Sequence, residues 1–79
     1  MVTIRLHGVL ARLAGCDRLT LETSAGTAGA VVEEIAARWP QLAAELRRTA
    51  CAIGDELVSR SARLAPGAEL NLLPPVSGG

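Results

Sequence analysis

Two adjacent prolines, Pro74 and Pro75, follow the last strand-like stretch of the chain and limit what it can fold into. Each proline fixes φ at about −65° and lacks a backbone N–H, so a sheet ladder cannot continue through the pair. Each also holds the residue before it in an extended conformation. The sequence therefore predicts a strand that ends at Leu73, a stiff neck at Pro74-Pro75, and a separate terminal segment.

The four residues after the neck, Val76, Ser77, Gly78 and Gly79, are predicted to form a flexible tail. Glycine accepts almost any backbone conformation, so such a tail can enter a narrow slot in a partner. At roughly 3.3–3.6 Å per residue it reaches about 14 Å. The carboxylate of Gly79 is then an unhindered acyl group. The alternative is a frayed terminus without a function, but the rigid mount before the glycines favours the first interpretation.

Apolar and polar residues alternate in two stretches near the N terminus, which predicts two strands. A connector of about one helical turn, Val9–Gly15, is expected between them, with Leu10 and Leu13 as its apolar anchors. Strands joined this closely pair antiparallel. The side chains predicted to face the core are those of Val2, Ile4 and Leu6 in the first strand, and of Leu19 and Leu21 in the second.

Apolar residues spaced by four, Val31, Ile35 and Trp39, predict an amphipathic helix. Thr27 is suited to cap its N terminus, and Pro40 ends it. A short second helix is expected within residues 41–48. Three short strands are predicted to follow, within residues 50–53, 56–58 and 69–73, with turns at Gly54-Asp55 and Pro66-Gly67.

This order of elements predicts an α+β fold, because one amphipathic helix covers only one face of a small mixed sheet of four to five strands. The first and last strands are expected to lie side by side in the middle. Leu73 then points away from Leu70 and Leu72, into an exposed apolar patch on the open side of the sheet, and such patches often mark partner surfaces. We expect one domain over residues 1–75 and the tail over residues 76–79.

Composition excludes several classes of function. The chain has 79 residues, a formal charge of zero and a single aromatic residue, Trp39. It offers no stacking platform for bases and no basic surface, so neither nucleic acid nor membrane is expected as a partner. Cys16 and Cys51 lack the spacing of a metal site and are expected to be reduced thiols. No leader or membrane span is evident, which favours the cytoplasm. No bound metal or cofactor is expected.

Four stretches resemble the ubiquitin-like β-grasp sulfur carriers, and most of all the MoaD-like small subunit of molybdopterin synthase, within the MoaD/ThiS group. The last of the four is the most specific. The stretches are Leu13-Ala14-Gly15, Ala37-Arg38-Trp39-Pro40, Pro66-Gly67-Ala68-Glu69-Leu70 and Leu73-Pro74-Pro75-Val76-Ser77-Gly78-Gly79. The chain departs from the group where the first strand ends, since Leu6-His7-Gly8 stands where aromatic residues are usual.

The resemblance implies a β-grasp fold and a role in sulfur transfer. An ATP-using enzyme similar to ubiquitin activators would adenylate Gly79, and a sulfur donor protein would convert the adenylate to a thiocarboxylate. ATP is used by that enzyme and is not bound by this chain. The tail would enter a larger, MoaE-like synthase subunit, which supplies the acid–base groups, so the chain is not an enzyme alone. Leu73, Pro74, Pro75, Val76, Ser77 and Gly78 would contact these partners.

Three hypotheses remain open from the sequence. The first is a sulfur carrier, for molybdopterin or for cysteine, thiamin or a specialised sulfur metabolite. The second is a ubiquitin-like modifier joined to lysines of other proteins. The third is a small interaction module with an inert tail. The Pro-Pro-Val-Ser form of the tail favours the first.

Overall fold

A computed structural model describes residues 1–75 of the chain. The predicted flexible tail over residues 76–79 lies outside this range and stays a prediction. The elements, in chain order, are β1 (Val2–Leu6), α1 (Gly8–Ala14), β2 (Arg18–Leu21), α2 (Ala28–Arg38), a 3₁₀ turn (Pro40–Leu42), α3 (Ala43–Leu46), β3 (Ala50–Ile53), β4 (Glu56–Val58) and β5 (Glu69–Leu73).

The five strands form one mixed sheet in the order β2-β1-β5-β3-β4. The central pair, β1 and β5, is parallel, with Ile4 opposite Leu70 and Leu6 opposite Leu72. The other pairs are antiparallel. This confirms both the α+β fold and the predicted neighbourhood of the first and last strands. The last strand therefore carries the neck from the middle of the sheet.

The main helix, α2, covers one face of the sheet as its spacing predicts. Its N terminus is capped by the Thr27 hydroxyl, which accepts a hydrogen bond from the Ala30 N–H at 3.2 Å. Val31, Val32 and Ile35 are buried against the sheet. Leu42 and Leu46, in the 3₁₀ turn and α3, are also buried, so the predicted short second helix completes the covering layer.

The prediction for Leu13 was wrong, because this side chain is 43% exposed. The connector is a seven-residue helix, α1, and its inward side carries the buried Leu10 with Ala11 and Ala14 packed against the core. At 3.6 residues per turn, Leu13 points about 100° away from the centre of that side. Leu10 alone of the two leucines therefore anchors α1.

The loop after β4 braces the helical layer through Arg60. Its carbonyl oxygen accepts from the Gly29 N–H at 2.7 Å, at the start of α2. Its guanidinium donates to the carbonyl oxygens of Leu46 and Thr49 at 2.5 and 2.9 Å, at the end of α3. A cation at a helix C terminus is favourable. One residue therefore joins two helix ends.

Within residues 1–75, no helix combines the length and the apolar character that crossing a bilayer requires.

Replacing Arg60 with Met is expected to lower the free energy of unfolding by about 1–2 kcal/mol, because two helix-end carbonyls lose a charged donor. The measurement is the urea midpoint at constant m-value. Arg63→Met is the matched control, since Arg63 lies exposed in the same loop and should change stability by less than about 0.5 kcal/mol. Equal losses in the two variants would contradict the bracing role.

Candidate functional site

The sheet leaves the face opposite the helices uncovered, and we call this the open face. Side chains alternate between the two faces along each strand, so the residues that do not face the core lie on the open face. Opposite pairs in the register confirm which residues share it. The open face is formed by Arg18 and Thr20 on β2, Thr3 and Arg5 on β1, Glu69, Asn71 and Leu73 on β5, Ala50 and Ala52 on β3, and Leu57 on β4.

One half of the open face is charged. Arg5 lies directly opposite Arg18 across β1 and β2, and Glu69 approaches Arg5 at 3.8 Å from the other side. Like charges opposite each other in a sheet are unfavourable, and the Glu69 carboxylate offsets part of that repulsion. These side chains are well exposed, so the pair contributes little to stability.

The other half is apolar and concave. An open depression of about 440 Å³ is lined by His7, Ala52, Gly54, Asp55, Leu57, Asn71 and Leu73. We call it the apolar depression. Leu57 stands at its side and is 68% exposed, whereas Ala52 is buried and Leu73 half-buried. A large apolar side chain this exposed, beside a concave apolar surface, is typical of a site that a partner protein covers.

A hydrogen-bonded chain crosses the depression. The Asn71 Nδ2 donates to the Gly54 carbonyl oxygen at 3.4 Å, which orients the amide so that its Oδ1 faces His7. The His7 Nε2 lies 3.1 Å from that Oδ1. Since an amide oxygen only accepts, Nε2 carries the proton. The end of β1, β5 and the β3–β4 turn are thereby tied together. His7 therefore has a structural role at the end of β1.

The neck leaves from the edge of this depression. Leu73 is on the open face, as predicted, and next to it Pro74 is half-buried and Pro75 exposed. Val76, Ser77, Gly78 and Gly79 lie outside the described residues. The partner-binding and acyl roles assigned to these seven positions therefore stay predictions. Of the residues that line the depression, sequence reasoning placed only Leu73 on this surface.

The described part of the site contains few titratable side chains. It brings together one imidazole and one carboxylate, His7 and Asp55, and no thiol. Within residues 1–75, no group of three or more acidic, histidine or cysteine side chains is placed to hold a metal ion. Cys51 faces the core, where burial raises the pKa of its thiol, against a smaller lowering by the Arg60 guanidinium. Cys16 is exposed.

The chain matches a known protein family over nearly its whole length. A family model described as the ThiS family matches residues 4–79 of the chain. The match begins in β1 and extends through both terminal glycines. A search of curated proteins gives no match.

Solved structures with the same fold include proteins of three kinds. A crystal structure of SAMP1 from Haloferax volcanii is 26% identical, with a TM-score of 0.82, and the match covers 99% of this chain and 98% of that one. A protein–protein complex of subunits 1 and 2 of the molybdopterin-converting factor from Helicobacter pylori contains a chain that is 25% identical, with a TM-score of 0.71 and coverage of 99% and 97%. The BexX/CysO complex of Amycolatopsis orientalis contains one that is 23% identical, with a TM-score of 0.78 and coverage of 100% of both chains, and shows the fold alone.

The two cysteines are expected to react with Ellman's reagent at very different rates. Cys16 is exposed and Cys51 is buried with a raised thiol pKa, so the folded chain should show one fast thiol. Cys51 should react at least about 100-fold more slowly, because its reaction requires opening of the core. Denaturant should make both fast. The Cys16→Ser variant is the control and should lose the fast phase; two fast thiols in the folded chain would contradict the placement of Cys51.

Proposed function

The chain belongs to the ThiS family, and from this premise we propose that it is a sulfur carrier whose reactive group is the carboxylate of Gly79. The β-grasp fold expected from the sequence is the fold of its solved relatives. The observation that carries the proposal is that the family match includes Gly79 itself. The folded domain, residues 1–75, is the part that partner enzymes bind. We place this activity in the cytoplasm.

The proposed chemistry takes place on the terminal acyl group. A carboxylate oxygen of Gly79 attacks the α-phosphorus of ATP, which is bound by the activating enzyme, and pyrophosphate leaves. A sulfide equivalent from a donor protein then adds to the acyl carbon, and AMP leaves. The product is a thiocarboxylate, whose sulfur is a nucleophile that a carboxylate lacks. Delivering it on a tether makes its attack on an acceptor nearly unimolecular.

The open face supports a separation between the domain, which binds partners, and the terminal acyl group, which reacts. The apolar depression offers a partner a concave surface with Leu57 and Leu73 at its edge, and the neck leaves the sheet beside it. A partner seated on the depression therefore lies next to the point from which the tail extends. In this proposal the partners supply the acid and base groups.

We propose a pterin precursor as the sulfur acceptor, within a larger MoaE-like synthase subunit. Support comes from the Leu73-Pro74-Pro75-Val76-Ser77-Gly78-Gly79 stretch, which resembles MoaD-like subunits, and from the likeness to a chain of the two-subunit molybdopterin-converting factor complex. Sulfur delivery to cysteine, thiamin or a specialised metabolite uses the same first two steps and differs only in the acceptor.

A second candidate is a protein modifier. The likeness to SAMP1 favours it, because SAMP1 is the small archaeal modifier protein 1 of Haloferax volcanii. In this case a lysine amine, rather than sulfur, attacks the acyl carbon of the adenylate, an isopeptide bond forms, and AMP and the amine proton leave. Gly-Gly remnants on lysines of other proteins, found after digestion, distinguish this candidate from a carrier that only delivers sulfur.

Co-expression with the adenylating enzyme and the sulfur donor of the source organism is expected to shift the intact mass by one oxygen-to-sulfur exchange. The measurement is mass spectrometry of the intact chain, followed by alkylation of the thiocarboxylate. Deleting Gly79 should abolish the shift, and Cys16→Ser should retain it. The proposal would be contradicted if the mass of this chain stayed unchanged while the same enzymes converted another carrier protein to its thiocarboxylate.

Replacing Leu57 with Glu is expected to raise KM for the carrier at least about tenfold in ATP–pyrophosphate exchange, because apolar contact is lost and a charge is placed in the interface. Leu13→Glu is the matched control, because Leu13 is an exposed leucine on α1, outside the depression. Both variants should unfold within about 0.5 kcal/mol of the unmodified chain. Equal KM values for the two variants would place docking elsewhere.

A further inference from the structure

Gly8, at the junction between β1 and α1, lies against the first proline of the neck. A Cβ built on Gly8 would stand 3.3 Å from the Pro74 Cγ, which is tighter than ordinary contact between carbon atoms. Gly8 also has a φ of +56°, a conformation that favours glycine. The missing side chain therefore leaves the space that the Pro74 ring occupies.

The same junction is fixed to the strand that carries Pro74. The His7 ring is hydrogen bonded to Asn71, three residues before Pro74 on β5, and Asn71 is itself held by the Gly54 carbonyl oxygen. Leu6 lies opposite Leu72 in the central parallel pair. Backbone pairing, a side-chain hydrogen bond and ring contact thus connect three successive positions, Leu6, His7 and Gly8, to the end of β5.

We infer that His7-Gly8 is a positioning element that sets the orientation of the neck, Pro74-Pro75, relative to the sheet. Gly8 acts through the Pro74 ring and does not touch the reacting atoms. The inference rests on the proposed function, because direction matters only if the acyl group of Gly79 must reach an active site in a partner. His7 and Gly8 stand at the end of β1, where the resemblance leads one to expect aromatic side chains. Their proposed role is to orient the neck.

A displacement of the neck should lower the rate of the chemical step without weakening docking. The added Cβ of Gly8→Ala requires the Pro74 ring to move by a few tenths of an ångström, and small misplacements of reacting groups are costly. Gly8 itself does not line the apolar depression. In ATP–pyrophosphate exchange with the activating enzyme of the source organism, we expect kcat to fall about three- to tenfold while KM stays within about twofold.

Gly15→Ala is the matched control. Gly15 follows the other end of α1 and has a φ of +78°, but a Cβ there would meet no atom within 4 Å. Both substitutions place alanine in a left-handed conformation, so both carry a comparable backbone strain. Only Gly8→Ala disturbs the neck, so a fall in kcat shared by both variants would overturn the inference.

Pro74→Ala supplies the second test, because it removes the Cγ that the new methyl group would meet. Gly8→Ala should lower kcat in the unmodified chain and have little effect when Pro74→Ala is also present; an undiminished penalty would overturn the inference. The contact itself is observable by NMR of the full chain, as nuclear Overhauser effects between the Gly8 Hα and Pro74 Hγ protons. Absence of these nuclear Overhauser effects would also overturn the inference. If they are present but no activating enzyme accepts the chain, the contact is supported and the proposed function is rejected.

Discussion

The central parallel pairing of β1 and β5 is the interaction on which the rest of the structure depends. It places the chain's last strand in the middle of the sheet, with Leu70 and Leu72 fully buried beneath the helices. A strand in this position has neighbours on both sides and cannot fray like an edge strand. The neck therefore follows a strand that is paired on both sides.

One face of the sheet contributes stability and the other is available for recognition. The helix-covered face supplies the stability, through an aliphatic core with almost no aromatic residues and with helix ends joined by Arg60. The open face is free for recognition, with a charged half around Arg5 and an apolar half around Leu57. Because the core uses only alternate residues of each strand, the recognition surface can change without loss of the fold. Solved structures that are only about a quarter identical in sequence share this fold.

Much of the fold was predictable because its signals are local. Alternation marked the strands, the spacing of Val31 and Ile35 marked the main helix, and Pro74 marked the end of β5. Leu13 was misassigned because i,i+3 spacing with Leu10 does not settle which side of a short helix faces inward. The role of Arg60 was not predictable, because its hydrogen bonds depend on how the loop crosses the helix ends. The His7–Asn71 bond joins residues 64 positions apart and requires the sheet register. For the candidate site, the sequence predicted the neck and tail, whose roles stay predictions, and it missed the depression, which is assembled from separate strands.

The central claim is that the reactive atom of this protein is the acyl carbon of its last residue. The most direct measurement is tandem mass spectrometry of the C-terminal peptide from the chain isolated from its source organism. The account predicts a fraction of molecules in which sulfur replaces one oxygen on Gly79 and nowhere else in the chain. Sulfur carried on Cys16 instead, or an unmodified Gly79 in cells that are actively making sulfur-containing cofactors, would contradict it.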